Sequence, residues 1–233
     1  MTGTHERPIG VSRFQVIITL ITIVATAIVY PRLPERIPLH WNIQGDIDRW
    51  GASSFGNVFL TPLILLGIVV LFWLLPRIDP FRRSYGRFAG SYTLIIDMIA
   101  AFLVLLHALT LYAAFNTDLP VGIVAPGAIG LLFAVIGNQL AKLKRNFFIG
   151  FRTPWTLASD KVWMRTHRIG ARLFMAAGLA AALSAFLPPP LNFIVFLVLI
   201  VGTVAAVFLY SYLYYRQLER RGELEAAVEA ARQ

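Results

Sequence analysis

The chain has 233 residues, 58% of them hydrophobic and only 14% charged, with a mean hydropathy of +0.69. A soluble globular domain is excluded by that balance, and the net charge of +9 is better assigned to membrane topology and lipid headgroups than to nucleic acid. With no cysteine, structural disulfides and thiolate chemistry are excluded as well.

Six apolar runs are predicted to cross the bilayer: Phe14–Tyr30, Val58–Leu75, Gly90–Phe115, Ile123–Ala141, Ala171–Leu187 and Leu191–Tyr215. Each is close to the ~20 residues that a helix needs to cross a ~30 Å hydrocarbon core. Helices are favoured because backbone polar groups in lipid must be satisfied within the segment, and the alternation of a membrane barrel is absent. Arg7 and Arg13 ahead of the first run, with Ala25-Thr26-Ala27 near its end, resemble a cleavable leader, but apolar residues continue through Ile28 and Val29. The run is therefore expected to be retained as a span.

The first loop, Pro31 to Gly51, carries prolines at 31, 34 and 38, which disfavour helix and suit an extended lead-in. Ile37, Leu39, Trp41 and Ile43 then alternate with Pro38, His40 and Asn42, and Gln44-Gly45-Asp46 offers a turn. A period of two predicts a small hairpin cap over the outer membrane face. His40, Trp41, Asn42, Gly45 and Asp48 are its candidate ligand-binding residues. A metal site on His40, Asp46 and Asp48 lacks the ligand spacing that zinc sites show, and no metal or cofactor is expected.

Asp97 and His107 are ionisable groups inside the third span, where each would cost several kcal/mol unless paired or hydrated. Ten positions apart, about 280° around a helix, they are expected not to share a face. Asp97 is expected to lie near the inner end of its span, against an arginine of the long inner loop. Small residues crowd the fourth and fifth spans (Gly127, Gly130, Ala134, Gly137; Ala176, Ala177, Gly178, Ala181, Ala185) and predict close helix contact.

Between those spans lies the most informative segment, Lys142 to Gly170, with two Trp, three Phe and seven Lys/Arg in 29 residues. A plain turn would need only a handful of polar residues. Thr153-Pro154 should start a short turn of helix, and Ser159 should cap a helix at Asp160 that runs on into the fifth span. Trp163, Thr166, His167 and Gly170 would share one face of it. No pattern of an enzyme active site is visible, and no enzymatic activity is expected. Asn116–Gly122 and Pro188-Pro189-Pro190 read as tight outer turns, and residues 216–233 as a solvated helical tail.

Orientation follows from Lys and Arg: eighteen fall on one side of the six spans and three on the other. The basic side is expected to be the cytoplasm, with both termini there. The expected fold is thus an all-α integral membrane protein of six transmembrane helices. It divides into a two-span unit (1–88, outer loop 31–57) and a four-span unit (89–233) that carries the loop 142–170 and the tail.

Asn146, Ile149-Gly150, Arg152-Thr153-Pro154-Trp155-Thr156-Leu157, Trp163 and Thr166-His167 resemble the signature of the Sdp-type immunity-protein family, bacterial multipass membrane proteins. Leu33-Pro34, Ile37-Pro38, His40-Trp41-Asn42, Gly45, Asp48 and Trp50-Gly51 resemble the N-terminal domain of unknown function that often accompanies it. The resemblance implies residence in the bacterial inner membrane, a secreted peptide toxin as ligand and a cytoplasmic transcriptional repressor as partner. It carries Asn146, Gly150, Arg152, Thr153, Pro154, Trp155, Thr156, Trp163 and His167 over as candidate partner-binding residues. The competing class is a small ion- or proton-coupled transporter using Asp97 and His107; direct nucleic-acid binding is not expected.

Overall fold

A computed structural model of the chain describes residues 9–118 and 120–224. In order, it contains α1 (Arg13–Val29), β1 (Arg36–Trp41), β2 (Ile47–Ala52), α2 (Phe55–Ile78), α3 (Ala89–Ala113), α4 (Val121–Leu140), α5 (Pro154–Ala158), α6 (Asp160–Ser184) and α7 (Leu191–Arg220). Short 3₁₀ turns precede β1 (Tyr30–Arg32) and α3 (Arg82–Phe88).

Five helices among the described residues are long and apolar enough to cross a membrane: α1, α2, α4, α7 and the segment Arg82–Ala113 containing α3. The expected fifth span forms the second half of α6. That helix has 25 residues, but Lys161, Arg165, Arg168 and Arg172 make its first half too polar for it to rank with the other five. As expected, it starts at Asp160 with the Ser159 side chain accepting from the Val162 N–H, and it runs unbroken into the apolar stretch. The predicted tail helix is the end of α7 as far as Arg220; residues 225–233 lie outside the described residues.

α1 inverts the usual amphipathic pattern. Ile17, Leu20, Ile21, Val24 and Ile28 are exposed, whereas Gln15, Thr19, Thr22 and Thr26 are buried. Their spacing of four, three and four puts them on one stripe facing α3. Lipid-facing leucines and isoleucines with an inward polar stripe suit a membrane span. Two expectations are corrected here. Among the described residues Asp97 pairs with no arginine of the long loop; its Oδ1 accepts from Ser12 Oγ (2.8 Å) and Gln15 Nε2 (2.7 Å). Asp97 and His107 also face the same neighbour, since His107 Nε2 lies 2.8 Å from Thr26 Oγ1. A rotation of 280° is about 80° the other way, so both side chains reach α1.

The small-residue expectation holds at the α4–α6 interface. A Cβ on Gly130 would lie 2.4 Å from Ala182 N, one on Gly137 2.5 Å from Met175 N, and one on Gly178 2.4 Å from Ala134 N. The two backbones touch through glycine. The main core lies at the arginine-rich end of the bundle, where Tyr85, Phe88, Tyr92, Phe151, Trp163 and Phe174 pack together.

Candidate functional site

At the other end, β1 and β2 form the predicted hairpin, antiparallel with Ile37 opposite Gly51 and Trp41 opposite Ile47. Asn42 builds its turn: Oδ1 accepts from the Gln44 N–H (2.9 Å) and the Asp46 N–H (3.0 Å). Gly45 closes it at φ +88°, where an L side chain is strained. A Cβ there would lie 2.9 Å from Gly122 Cα, so the hairpin tip rests directly on the first turn of α4. Asn192 at the start of α7 donates to the Gly122 carbonyl (3.3 Å) and ties that helix in.

A groove of 500 Å³ results, walled by His40, Trp41, Asn42, Ile43, Gly45 and Asp48 of the hairpin and by Val121, Gly122, Ala125 and Pro126 of α4 with Phe193 of α7. All five hairpin residues singled out from sequence line it. His40 Nδ1 and Asp48 Oδ1 pair at 2.6 Å on its exposed rim. The floor is apolar, the composition typical of a site that holds an apolar ligand by shape and orients it with a few polar groups.

The long loop at the opposite end is a hydrogen-bonded knot. Asn146, fully buried, accepts at Oδ1 from the Phe148 (3.0 Å) and Ile149 (2.7 Å) N–H groups and donates from Nδ2 to the Lys144 and Ile149 carbonyls (3.0 Å each). His167 Nε2 accepts from the Phe151 N–H (3.0 Å), which leaves Nδ1–H to donate to the Trp163 carbonyl (2.9 Å). Trp163 stacks on that ring at 4.0 Å and donates from Nε1 to the Leu143 carbonyl (2.9 Å). Burial holds the His167 imidazole down at about 4, against the opposing pull of its bond to Trp163.

Gly150 makes the fold of the knot possible. At φ +103° its missing Cβ would lie 2.3 Å from His167 Nε2. Thr153 and Thr156 form a capping box on α5; Thr156 Oγ1 donates to the Phe151 carbonyl (2.7 Å), and Thr153 Oγ1 lies 3.3 Å from Ser211 Oγ on α7. Trp155 packs on Tyr212 with centroids 5.1 Å apart. Of the nine signature residues, Asn146, Thr153, Thr156, Trp163 and His167 are buried, and only Arg152 and Pro154 are exposed. Among the described residues Arg152 makes one hydrogen bond, from Nη1 to the Phe147 carbonyl (3.2 Å).

Sequence reasoning missed Asp79. It is 2% exposed and accepts from the Phe81 N–H (2.7 Å) at Oδ1 and from Tyr85 Oη (2.6 Å) and the Phe147 N–H (2.8 Å) at Oδ2. With Ser84 Oγ donating to the Arg145 carbonyl (2.8 Å), it fastens the α2–α3 connector to the knot.

Residues 142–214 match the SdpI/YfhL protein family, and residues 17–66 match a domain of unknown function, DUF1648. The chain is 25% identical over 203 residues to the immunity protein SdpI of Bacillus subtilis (strain 168), an alignment covering 87% of this chain and 95% of that protein. No solved structure matches. The knot lies within the first matched segment and the hairpin within the second, in the order expected from the two motifs. The chain is a multi-pass protein of the bacterial cell membrane that resembles the SdpI/YfhL family, with the accompanying N-terminal domain ahead of the family's signature.

Proposed function

We propose that this is an immunity protein whose outer groove receives a membrane-active peptide and whose inner knot presents a surface to a cytoplasmic transcriptional repressor. One observation carries the reading: the hairpin of the N-terminal unit and the first turns of α4 and α7 enclose a single apolar groove. A peptide that partitions into membranes would bring apolar side chains to such a site, and binding there would keep it from the bilayer. The name of the Bacillus relative, an immunity protein, supports the same role. The role is one of binding rather than catalysis.

α4 supplies the route between the ends. Its first turn bears the hairpin tip, and just past its far end the Leu143 carbonyl accepts from the Trp163 indole N–H. Twenty residues at ~1.5 Å each give it a length of about 30 Å. On this reading α6 completes a sixth crossing, because its second half packs along α4 while its basic half stays with the knot. Both termini then lie in the cytoplasm, as the distribution of Lys and Arg favours. Arg152, Pro154 and Phe147 are among the exposed residues of the knot and are the proposed repressor-facing residues. Transport through Asp97 and His107 fits less well, since each already has a partner on α1.

Deleting the gene should sensitise cells to membrane-active peptides, including any secreted peptide encoded beside it. Wild-type protein should restore resistance and the Trp41→Ala variant should not, at equal membrane abundance. Unchanged sensitivity across the panel would refute the immunity role. For topology, Asp46→Cys should react with an impermeant thiol reagent in intact cells and Ala158→Cys only after lysis; the reverse pattern would invert the orientation.

A further inference from the structure

We infer that the arginine-lined cleft between the α2–α3 connector and the knot binds the phosphate group of an anionic phospholipid. The cleft has a volume of 580 Å³ and is lined by Arg77, Arg82, Arg83, Arg87 and Arg145 with the carboxylates of Asp79 and Asp160. Both carboxylates are already engaged: Asp79 accepts three hydrogen bonds, and Asp160 Oδ1 lies 3.0 Å from Arg145 Nε. Arg77 lies over the Trp73 ring, its Cζ 3.9 Å from the centroid. Arg82, Arg83 and Arg87 project from one 3₁₀ turn and are exposed, and among the described residues none has a carboxylate within 4.0 Å.

Positive charge at this end is explained by topology alone, but its arrangement in a concave site is not. Topogenic charge needs only numbers. Here the guanidinium of Arg145 is fixed by Asp160, by the Leu157 carbonyl (3.1 Å) and by the Phe81 ring (4.9 Å), so one wall is preformed. Guanidinium forks match phosphate oxygens in pairs, which ammonium groups cannot do. A lipid is favoured over a soluble phosphate because Ile78, 57% exposed, stands in the lining, and Trp73 and Leu74 are exposed one turn earlier on α2. Acyl chains would cover those side chains while the headgroup entered the cleft. Because the arginines come from both the α2–α3 connector and the knot, such a lipid would hold the two units together. This inference does not depend on the occupant of the outer groove.

The test uses full-length protein in detergent, with native mass spectrometry reading retention of phosphatidylglycerol against phosphatidylcholine. Wild type should retain phosphatidylglycerol selectively. Arg82→Gln/Arg83→Gln/Arg87→Gln together should weaken retention at least tenfold, whereas Arg165→Gln/Arg168→Gln/Arg172→Gln, equal in charge but outside the cleft, should change it less than twofold. Arg82→Lys/Arg83→Lys/Arg87→Lys keeps the charge and should still weaken retention severalfold; binding equal to wild type would overturn recognition by guanidinium forks. Equal losses in the two Gln triples would reduce the site to diffuse attraction and overturn the proposal. Displacement of the lipid by millimolar inorganic phosphate would overturn the lipid assignment.

Discussion

The knot and the groove are both marked by sequence motifs, yet the residues within them do opposite things. In the knot, Asn146, Thr153, Thr156, Trp163 and His167 are buried and turn their polar atoms toward one another or the local backbone. In the groove, Trp41, Ile43 and Asp48 are partly or fully exposed, and the apolar lining faces outward. A buried, mutually satisfied network contributes stability, because each lost partner leaves a desolvated group behind. An exposed apolar concavity contributes little to stability and is available to a ligand. Substitutions in the knot should therefore lower folded protein, and substitutions in the groove should lower function alone.

The largest expected effect is at Gly150. Gly150→Val forces a β-branched residue to φ +103° with its Cβ against His167, and strain with displacement of the ring should cost roughly 4 kcal/mol. Thermal unfolding in detergent would show it as a large drop in midpoint; an unchanged midpoint would mean that the knot is not as tightly built as the geometry requires.

Acid should come next. His167 is neutral when folded, with its pKa lowered from 6.5 to about 4. The unfolded chain therefore binds the extra proton between those values, so stability is full above pH 6.5 and declines as pH falls toward 4. The loss is about 3 kcal/mol at most. His167→Gln should be less stable at neutral pH and should flatten that decline. An identical acid profile in the variant would place the sensitivity elsewhere.

Asn146→Ala removes four hydrogen bonds from a fully buried site and should cost about 2 kcal/mol. At the small end, Arg152→Ala should change stability by less than about 0.5 kcal/mol, because the side chain is exposed with one backbone bond. If Arg152→Ala nonetheless abolishes repressor recruitment at normal abundance, the exposed part of the knot is a recognition surface. Full recruitment would reduce the residue to a positively charged anchor.

Much of this architecture can be read from sequence because it is local. The apolar runs, the period-two hairpin, the Thr153-Pro154 start of α5, the Ser159 cap and the buried face of Trp163, Thr166, His167 and Gly170 each depend on neighbours within a few positions. Asp79 could not be found that way: its partner, the Phe147 N–H, lies 68 residues on, and an aspartate next to arginines looks like interfacial charge. The groove depends likewise on Gly45 meeting Gly122. The polar stripe of α1 went unread although Gln15, Thr19, Thr22 and Thr26 recur at helical spacing, because hydropathy averages over the face that carries it.

The central claim is that the outer groove holds the ligand, and Ala125→Trp tests it most directly. The substitution fills the groove from the first turns of α4 without touching the hairpin's hydrogen bonds or the knot. Cells lacking the native gene would carry wild type or Ala125→Trp, matched for membrane abundance and unfolding midpoint, and the growth-inhibitory concentration of each membrane-active peptide would be measured. The account predicts that Ala125→Trp gives no more protection than the empty vector against the peptide that wild type resists. Protection equal to wild type would contradict it.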